Sequence, residues 1–468
     1  MKNKIYDILV VGTGLSSLMF IEGFLEKNKK IDIISFRKTK KNLSQITNNH
    51  IFRILPPQMI GEEKQVKDYF SLNKILVNKN TNFFGSLEFG GLSNYWGLQI
   101  DKNIKDDISH LKSGTQKKII KAFIEIFKKQ NLLGQYNKTV ENSFKRNQYL
   151  DNKIIKQSKM LYPDEPILAF KKKNKKETKV KLDMINEKKD KLNPQNFFRK
   201  KLNKKRVKIH NYYVEKIKKH KKGVILLCND GKNKKTFITK KLILGCGTLI
   251  TTKLVMDYLK IKKEVKINHH PRLFSVYFSK KKWKNNMEFE PSHLHLKPKK
   301  NSSLFTADFR PGNKIIVDAI IKFKKTLLPL KFILNLIREH LIFSNIFLNP
   351  SFGNLYLKKR DNLFEIYSKK KNIDKVFKKI SGMIFDFLNS TKKFLPLYYN
   401  YFPGFGADFH YFGTILMGKK GVLSVNDKCQ LKKDKRIFIV DGSVINFRKN
   451  KYPLGLIMAN SRRISKEI

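Results

Sequence analysis

The apolar run Ile5–Val11 passes straight into Gly12-Thr13-Gly14, and Leu15, Leu18, Ile21 and Leu25 then recur three or four residues apart. That spacing predicts a strand, a tight turn and a helix reaching about Lys27, followed by a second strand over Ile31–Ile34. A chain that opens this way builds a parallel βαβ unit, whose turn lies at the positive end of a helix and can hold a pyrophosphate on backbone N–H groups. Gly12, Thr13, Gly14, Leu15, Ser16 and Ser17 are therefore candidate dinucleotide-binding residues. Two features depart from the usual fingerprint. Ser17 stands where Gly or Ala is customary, and the second strand ends in Ser35-Phe36-Arg37, with no acid for the ribose; Ser35 offers a hydroxyl in its place.

The βαβ signal does not continue uninterrupted. From Val207 to Gly247 the chain reads as strands, with a hairpin turn at Asn229-Asp230-Gly231 and an apolar strand, Phe237–Leu244, running into Gly245-Cys246-Gly247. The last seventy or so residues return to glycine-punctuated strands and close on a helical pattern. This layout predicts an α/β protein with a Rossmann-like nucleotide-binding domain assembled from residues 1–130, 206–270 and 404–468. Residues 271–403 form an inserted α+β substrate domain on an antiparallel sheet, and 131–205 a lysine-rich connecting region.

At 468 residues and 41% apolar content the chain can bury real cores. Three scattered cysteines give neither a disulfide framework nor a zinc pair, so a reducing compartment and no metal are expected. The first residues carry no secretory pattern, which points to the cytoplasm. Net charge is +61, but the lysines are spread along the whole chain alongside abundant Asn, Ile and Phe. The expected consequence is a solvated basic surface and no specific nucleic-acid stripe. Thr326–Leu348 is apolar but broken by Pro329, Lys331 and Arg338-Glu339-His340, too interrupted to span a bilayer. It reads as a buried or dimer-forming helix, with peripheral contact to the inner membrane as the alternative.

Gly85–Gly97, GSLEFGGLSNYWG, supplies paired glycines, a small polar residue and an indole, as needed where backbone passes beneath a flat ring. His410–Gly418 (HYFGTILMG), Ile437–Ile445 (IFIVDGSVI) and Tyr452–Ile464 (YPLGLIMANSRRI) follow in order near the C-terminus. Together these resemble the C-terminal signature of the glucose-methanol-choline (GMC) family of FAD-dependent oxidoreductases. Leu242–Leu254 is similar to that family's second FAD strand, and Asn268–Pro271 to the segment that opens its substrate domain.

The resemblance implies FAD as cofactor, cradled by the first turn, by Gly90, Gly91, Ser93, Asn94 and Trp96, by Val214 at the adenine, by Gly247, and by Asp441 and Gly442 near the ribityl chain. Pro453 and Leu454 fall at the flavin edge. Asn94-Tyr95 fills the place where relatives carry a flavin-linking histidine, so the FAD is expected to be non-covalent. His410 is implied as the base that takes the proton of an alcohol while hydride leaves its carbon, a task suited to imidazole. Tyr452 stands where the family has a second His or Asn; with a pKa near 10 it orients a hydroxyl rather than abstracting a proton. The implied substrate is a sugar, polyol or other small alcohol, oxidised by a dehydrogenase with an unidentified electron acceptor. Two alternatives stay open: a flavoprotein of the amine oxidase or desaturase kind, and a non-catalytic basic nucleotide-fold protein that binds polyanions or membrane.

Overall fold

The opening pattern folds as read. Ile5–Val11 is β1, Leu15–Leu25 is α1 and Ile31–Ile34 is β2. The computed structural model describes residues 4–36, 69–130 and 206–468 apart from short internal stretches, the longest 284–293, and a few residues between 157 and 198. Most of the lysine-rich connector 131–205 lies outside the described residues.

From mid-chain come β3 (Val207–His210), β4 (Tyr213–His220), β5 (Gly223–Asn229) and β6 (Lys234–Leu244). β1 runs parallel to β2 and to β6, with Val11 opposite Leu244. β3 extends the sheet beyond β2, and the late strand Asp434–Ile439 pairs parallel with β6 on the other side. Leu9 and Val10 on β1 and Leu242, Ile243 and Leu244 on β6 are fully buried, as central parallel strands require when both faces are covered. Three distant stretches of chain thus meet in one eight-stranded sheet. On one face, α1 packs against the C-terminal helix, Leu454–Glu467. Arg462 of that helix is fully buried and bonds Glu22 of α1 at 3.4 Å and Glu26 just past its end.

The second sheet is antiparallel. It is built from β7 (Arg272–Ser279), β8 (Leu294–Pro298), β9 (Phe305–Pro311), β10 (Leu341–Leu348) and β11 (Phe394–Tyr401), in the order β11-β7-β10-β9-β8, with the short strand Met160–Leu161 added beyond β8 as a sixth. The register places Arg272 opposite Phe347 and Asn345 opposite Asp308. Directly paired residues share a face, so Arg272, Phe347, Asn345, Asp308 and Arg310 all project from the same side of the sheet.

One expectation is overturned here. Thr326–Leu348 is not one helix. It divides into a 3-10 turn at Lys325–Leu330, a short helix α2 (Lys331–Leu336), another 3-10 turn at Arg338–His340, and the buried strand β10. LIFSNIFL is rich in β-branched and aromatic residues and is covered on both faces, so a central strand satisfies it better than a helix could. Among the described residues no helix is long and apolar enough to cross a membrane.

Candidate active site

The carboxyl ends of β1 and β6 open into a cavity of about 260 Å³. Its floor is the Gly12–Ser16 turn. Gly12 has φ +106°, and a Cβ there would stand 2.4 Å from the Gly245 carbonyl oxygen, so only glycine lets the two strand-to-helix turns approach this closely. Gly14 at the N-cap has no side chain to cap α1, whose positive end faces the cavity. Thr13 joins two neighbouring segments: its hydroxyl lies 3.2 Å from that of Ser35 and accepts the Gly90 N–H at 3.0 Å. Ser93 Oγ accepts the Leu15 N–H at 3.0 Å, docking the glycine-rich loop onto the helix start.

Thr13, Gly14, Leu15, Ser16, Ser35, Gly90, Gly91, Ser93, Val214, Gly247, Asp441, Gly442 and Leu454 all line this cavity. Ser17 does not. Its buried hydroxyl donates to Gly245 O at 3.0 Å, which explains a serine at this position as a tie between α1 and the end of β6. Asn94 likewise turns inward, donating to Phe89 O at 2.9 Å and holding its own turn closed. Asp441 lines the wall with its acceptors engaged: Gly247 N–H at 3.1 Å, Ser443 N–H at 3.0 Å, and the hydroxyls of Thr251 and Ser443. Burial raises its pKa, opposed by those hydrogen bonds, and its evident work is to fix the loop after β6.

A second cavity, of about 160 Å³, adjoins the first; Leu92, Ser93, Phe409, Tyr411, Leu454 and Ile457 line both. Here lie His410 and Tyr452, with Trp96 and Pro453 in the same wall. Phe347 stacks on the His410 ring at 5.1 Å between centroids. His410 Nδ1 stands 3.2 Å from Nδ1 of His270, and the backbone N–H of His410 donates to Asp408 Oδ1 at 3.0 Å. Asp408 also accepts from the His270 N–H and lies 2.6 Å from Nδ1 of His269, whose Nε2 accepts the Asn354 N–H at 3.2 Å. That acceptor role puts the donated proton on Nδ1, toward Asp408. Burial pushes the Asp408 carboxyl up, and the surrounding histidines, His269 foremost and then His410 and His270, outweigh it, leaving it below the ordinary carboxylate range. Burial also depresses His410 to about 4, against a partial lift from Asp408, so the ring is neutral at physiological pH.

Tyr452 Oη lies 3.2 Å from His295 Nδ1, and His295 Nε2 lies 3.3 Å from the amide nitrogen of Gln99. The amide can only donate, so His295 carries its proton on Nδ1 and donates to Tyr452, leaving the phenol proton directed elsewhere. Burial holds that phenol well above its ordinary pKa.

The inserted sheet contributes Arg272, Asp308, Arg310 and Asn345 to the second cavity. Arg310 donates to Asp308 at 2.7 Å, while its Nε and the Asn345 Oδ1 are buried with no hydrogen-bond partner. Burial lowers Arg272 to about 10, still cationic at neutral pH. Sequence reasoning named none of these four, nor Asp408, and gave His270 only a place in the segment that opens the inserted domain. The available signals were the Asp-x-His spacing at 408–410 and two opposite charges two apart within the apolar strand Phe305–Pro311.

No family model matches the sequence, and no curated protein matches it. Among solved structures, the crystal structure of pyridoxine 4-oxidase from Mesorbium loti aligns over 99% of both chains, with a TM-score of 0.59 and 12% identity. The likeness is one of fold, and it extends over both sheets: a Rossmann-like α/β domain with an inserted sheet domain.

Proposed function

We propose that this protein is an FAD-dependent oxidoreductase of the GMC type that oxidises a CH–OH group of a sugar or polyol. The observation that carries the reading is the shared wall between a dinucleotide-shaped cavity and a second cavity holding a neutral, oriented histidine. The residues of the first cavity fit FAD: the glycine turn and the start of α1 would hold the pyrophosphate, Val214 and Ser35 the adenosine end, and the Gly90–Ser93 loop and Leu454 the flavin end. Bound there, FAD supplies the hydride acceptor.

The chain's own residues supply the rest. His410 donates its Nδ1–H to His270, leaving the Nε2 lone pair to take the alcohol proton. The Tyr452 hydroxyl donates to the substrate oxygen and orients it. The positive end of the C-terminal helix, which begins at Leu454 in the shared wall, stabilises developing negative charge. Arg310 and Asn345, with Arg272 and Asp308, give the second cavity a polar wall suited to a hydroxylated substrate. Non-covalent attachment of the flavin and an acceptor other than oxygen belong to the same reading.

The test is spectroscopic. Purified protein should carry a flavin spectrum that denaturation releases, and anaerobic addition of a suitable sugar or polyol should bleach it. His410→Ala should retain the flavin and slow bleaching by roughly 10²–10⁴-fold, the usual worth of a positioned base. Colourless protein that takes up no FAD would sink the cofactor assignment, and unchanged bleaching in the variant would sink the base.

A further inference from the structure

Leu328, Leu330, Phe332, Ile333 and Leu336, all within Lys325–Leu336, face solvent, with Phe332 72% and Leu336 63% exposed. The inner side of the same segment is apolar too: Leu334 and Ile337 pack on Phe274, Leu341 and Phe343 of the inserted sheet. A surface helix in water turns a polar face outward, and this one does not. The apolar surface continues on the edge strand β11, where Leu395, Leu397 and Tyr399 are exposed. Tyr399 pairs with Val276 and Tyr401 with Phe274, so both tyrosines share the sheet face that carries α2. That face is also the catalytic one. Two residues from Phe274 along β7 is Arg272, and two from Phe343 along β10 is Asn345, both in the second cavity.

Charge identifies the occupant. Residues 322–338 contain Lys322, Lys324, Lys325, Lys331 and Arg338 and no acid, and Lys392 and Lys393 precede β11 with no acid before Phe402. Lys331 pairs with Asp318 at 2.9 Å. A second copy of this chain would bring the same excess of positive charge to the contact and be repelled. Apolar side chains rimmed by lysines match the boundary between acyl chains and anionic headgroups. We propose that the Lys325–Leu336 segment and the adjoining edge strand dock the protein peripherally on an anionic lipid bilayer, setting the catalytic face of the inserted sheet against the membrane. The docking itself is independent of the redox reading; that the docked face is the catalytic one rests on it.

Co-sedimentation of the full-length protein with vesicles tests it, using phosphatidylcholine alone and an equimolar mixture with phosphatidylglycerol. The wild type should pellet with the mixed vesicles at about 150 mM salt, where the screening length is near 8 Å. The double variant Phe332→Ser, Leu336→Ser keeps the charge and should lose at least about tenfold in partitioning, since two apolar side chains no longer insert. Val422→Ser, at an exposed apolar residue elsewhere, should bind as wild type. Unchanged melting curves establish that both variants are folded. Wild type absent from the mixed-vesicle pellet, or a double variant that binds equally well through charge alone, overturns the proposal. A wild-type dimer by light scattering that the double variant loses, with no vesicle binding by either, overturns it in favour of self-association.

Discussion

His410 is the residue on which the proposed chemistry turns, and its environment makes a pH signature. Its folded pKa of about 4 lies below the ordinary histidine value near 6.5, so the base is unprotonated across the neutral range. Turnover should rise with an inflection near pH 4 and stay level through pH 6.5; an inflection at 6.5 would mean the ring is solvated. The same shift bears on stability. Between pH 6.5 and 4 the unfolded chain binds a proton that the folded chain refuses, so the contribution is whole above 6.5 and is lost as pH falls toward 4. Denaturant midpoints at pH 7 and pH 5 should therefore differ more for wild type than for His410→Gln. His270 is a positioning residue by this geometry. His270→Ala should lower kcat by roughly 10–100-fold with little change in KM, the scale of losing a partner that orients a working imidazole. His270→Asn, which keeps an acceptor, should recover part of it, and an equal loss in both variants would count against the tautomer assignment.

The turns at the ends of β1 and β6 work as one element because they touch through backbone. Gly12→Ala forces a Cβ to within 2.4 Å of the Gly245 carbonyl at a left-handed φ, so the turns must separate. Flavin affinity should fall at least about tenfold, equal to 1.4 kcal/mol. Ser17→Ala should behave differently. It removes one buried hydrogen bond outside the cavity, costing about 0.5–1.5 kcal/mol in chemical denaturation, and leaves flavin content unchanged. Equal flavin loss in both variants would place Ser17 in the cradle after all. In the same way the Asp441 carboxylate, with Gly247, Thr251 and Ser443 on it, acts on the site through the loop it holds.

Over the whole molecule the net charge of +61 works against compactness. Raising salt from about 10 to 150 mM shortens the screening length from roughly 30 to 8 Å and should raise the melting temperature by relieving repulsion; a melting temperature that falls would mean the ion pairs outweigh it. Arg462 ties the chain ends together, buried between the C-terminal helix and Glu22 of α1 with Glu26 just past its end. Arg462→Ala leaves those carboxylates without their guanidinium and should cost roughly 1.5–3 kcal/mol in denaturant unfolding.

Local patterns carried the nucleotide half of this protein far. Strand, glycine turn and helix are set by neighbours in sequence, so β1, α1 and β2 could be read from some thirty residues, and the His410, Asp441 and Tyr452 segments from their resemblance to a known family. Thr326–Leu348 misled because a short apolar run bears no periodicity that separates a buried strand from a buried helix; the sheet around β10 made that choice. The substrate side was hidden for a related reason. Arg272, Asp308 and Asn345 come from three strands far apart in the chain, and only the antiparallel register sets them on one face beside His410. Sequence by itself determined which local elements form and which carry reactive groups, since those depend on short-range sterics and hydrogen bonding. Tertiary structure alone decided which ring faces His410, the composition of the second cavity and the solvent-facing apolar segment, because each depends on which distant surfaces come into contact.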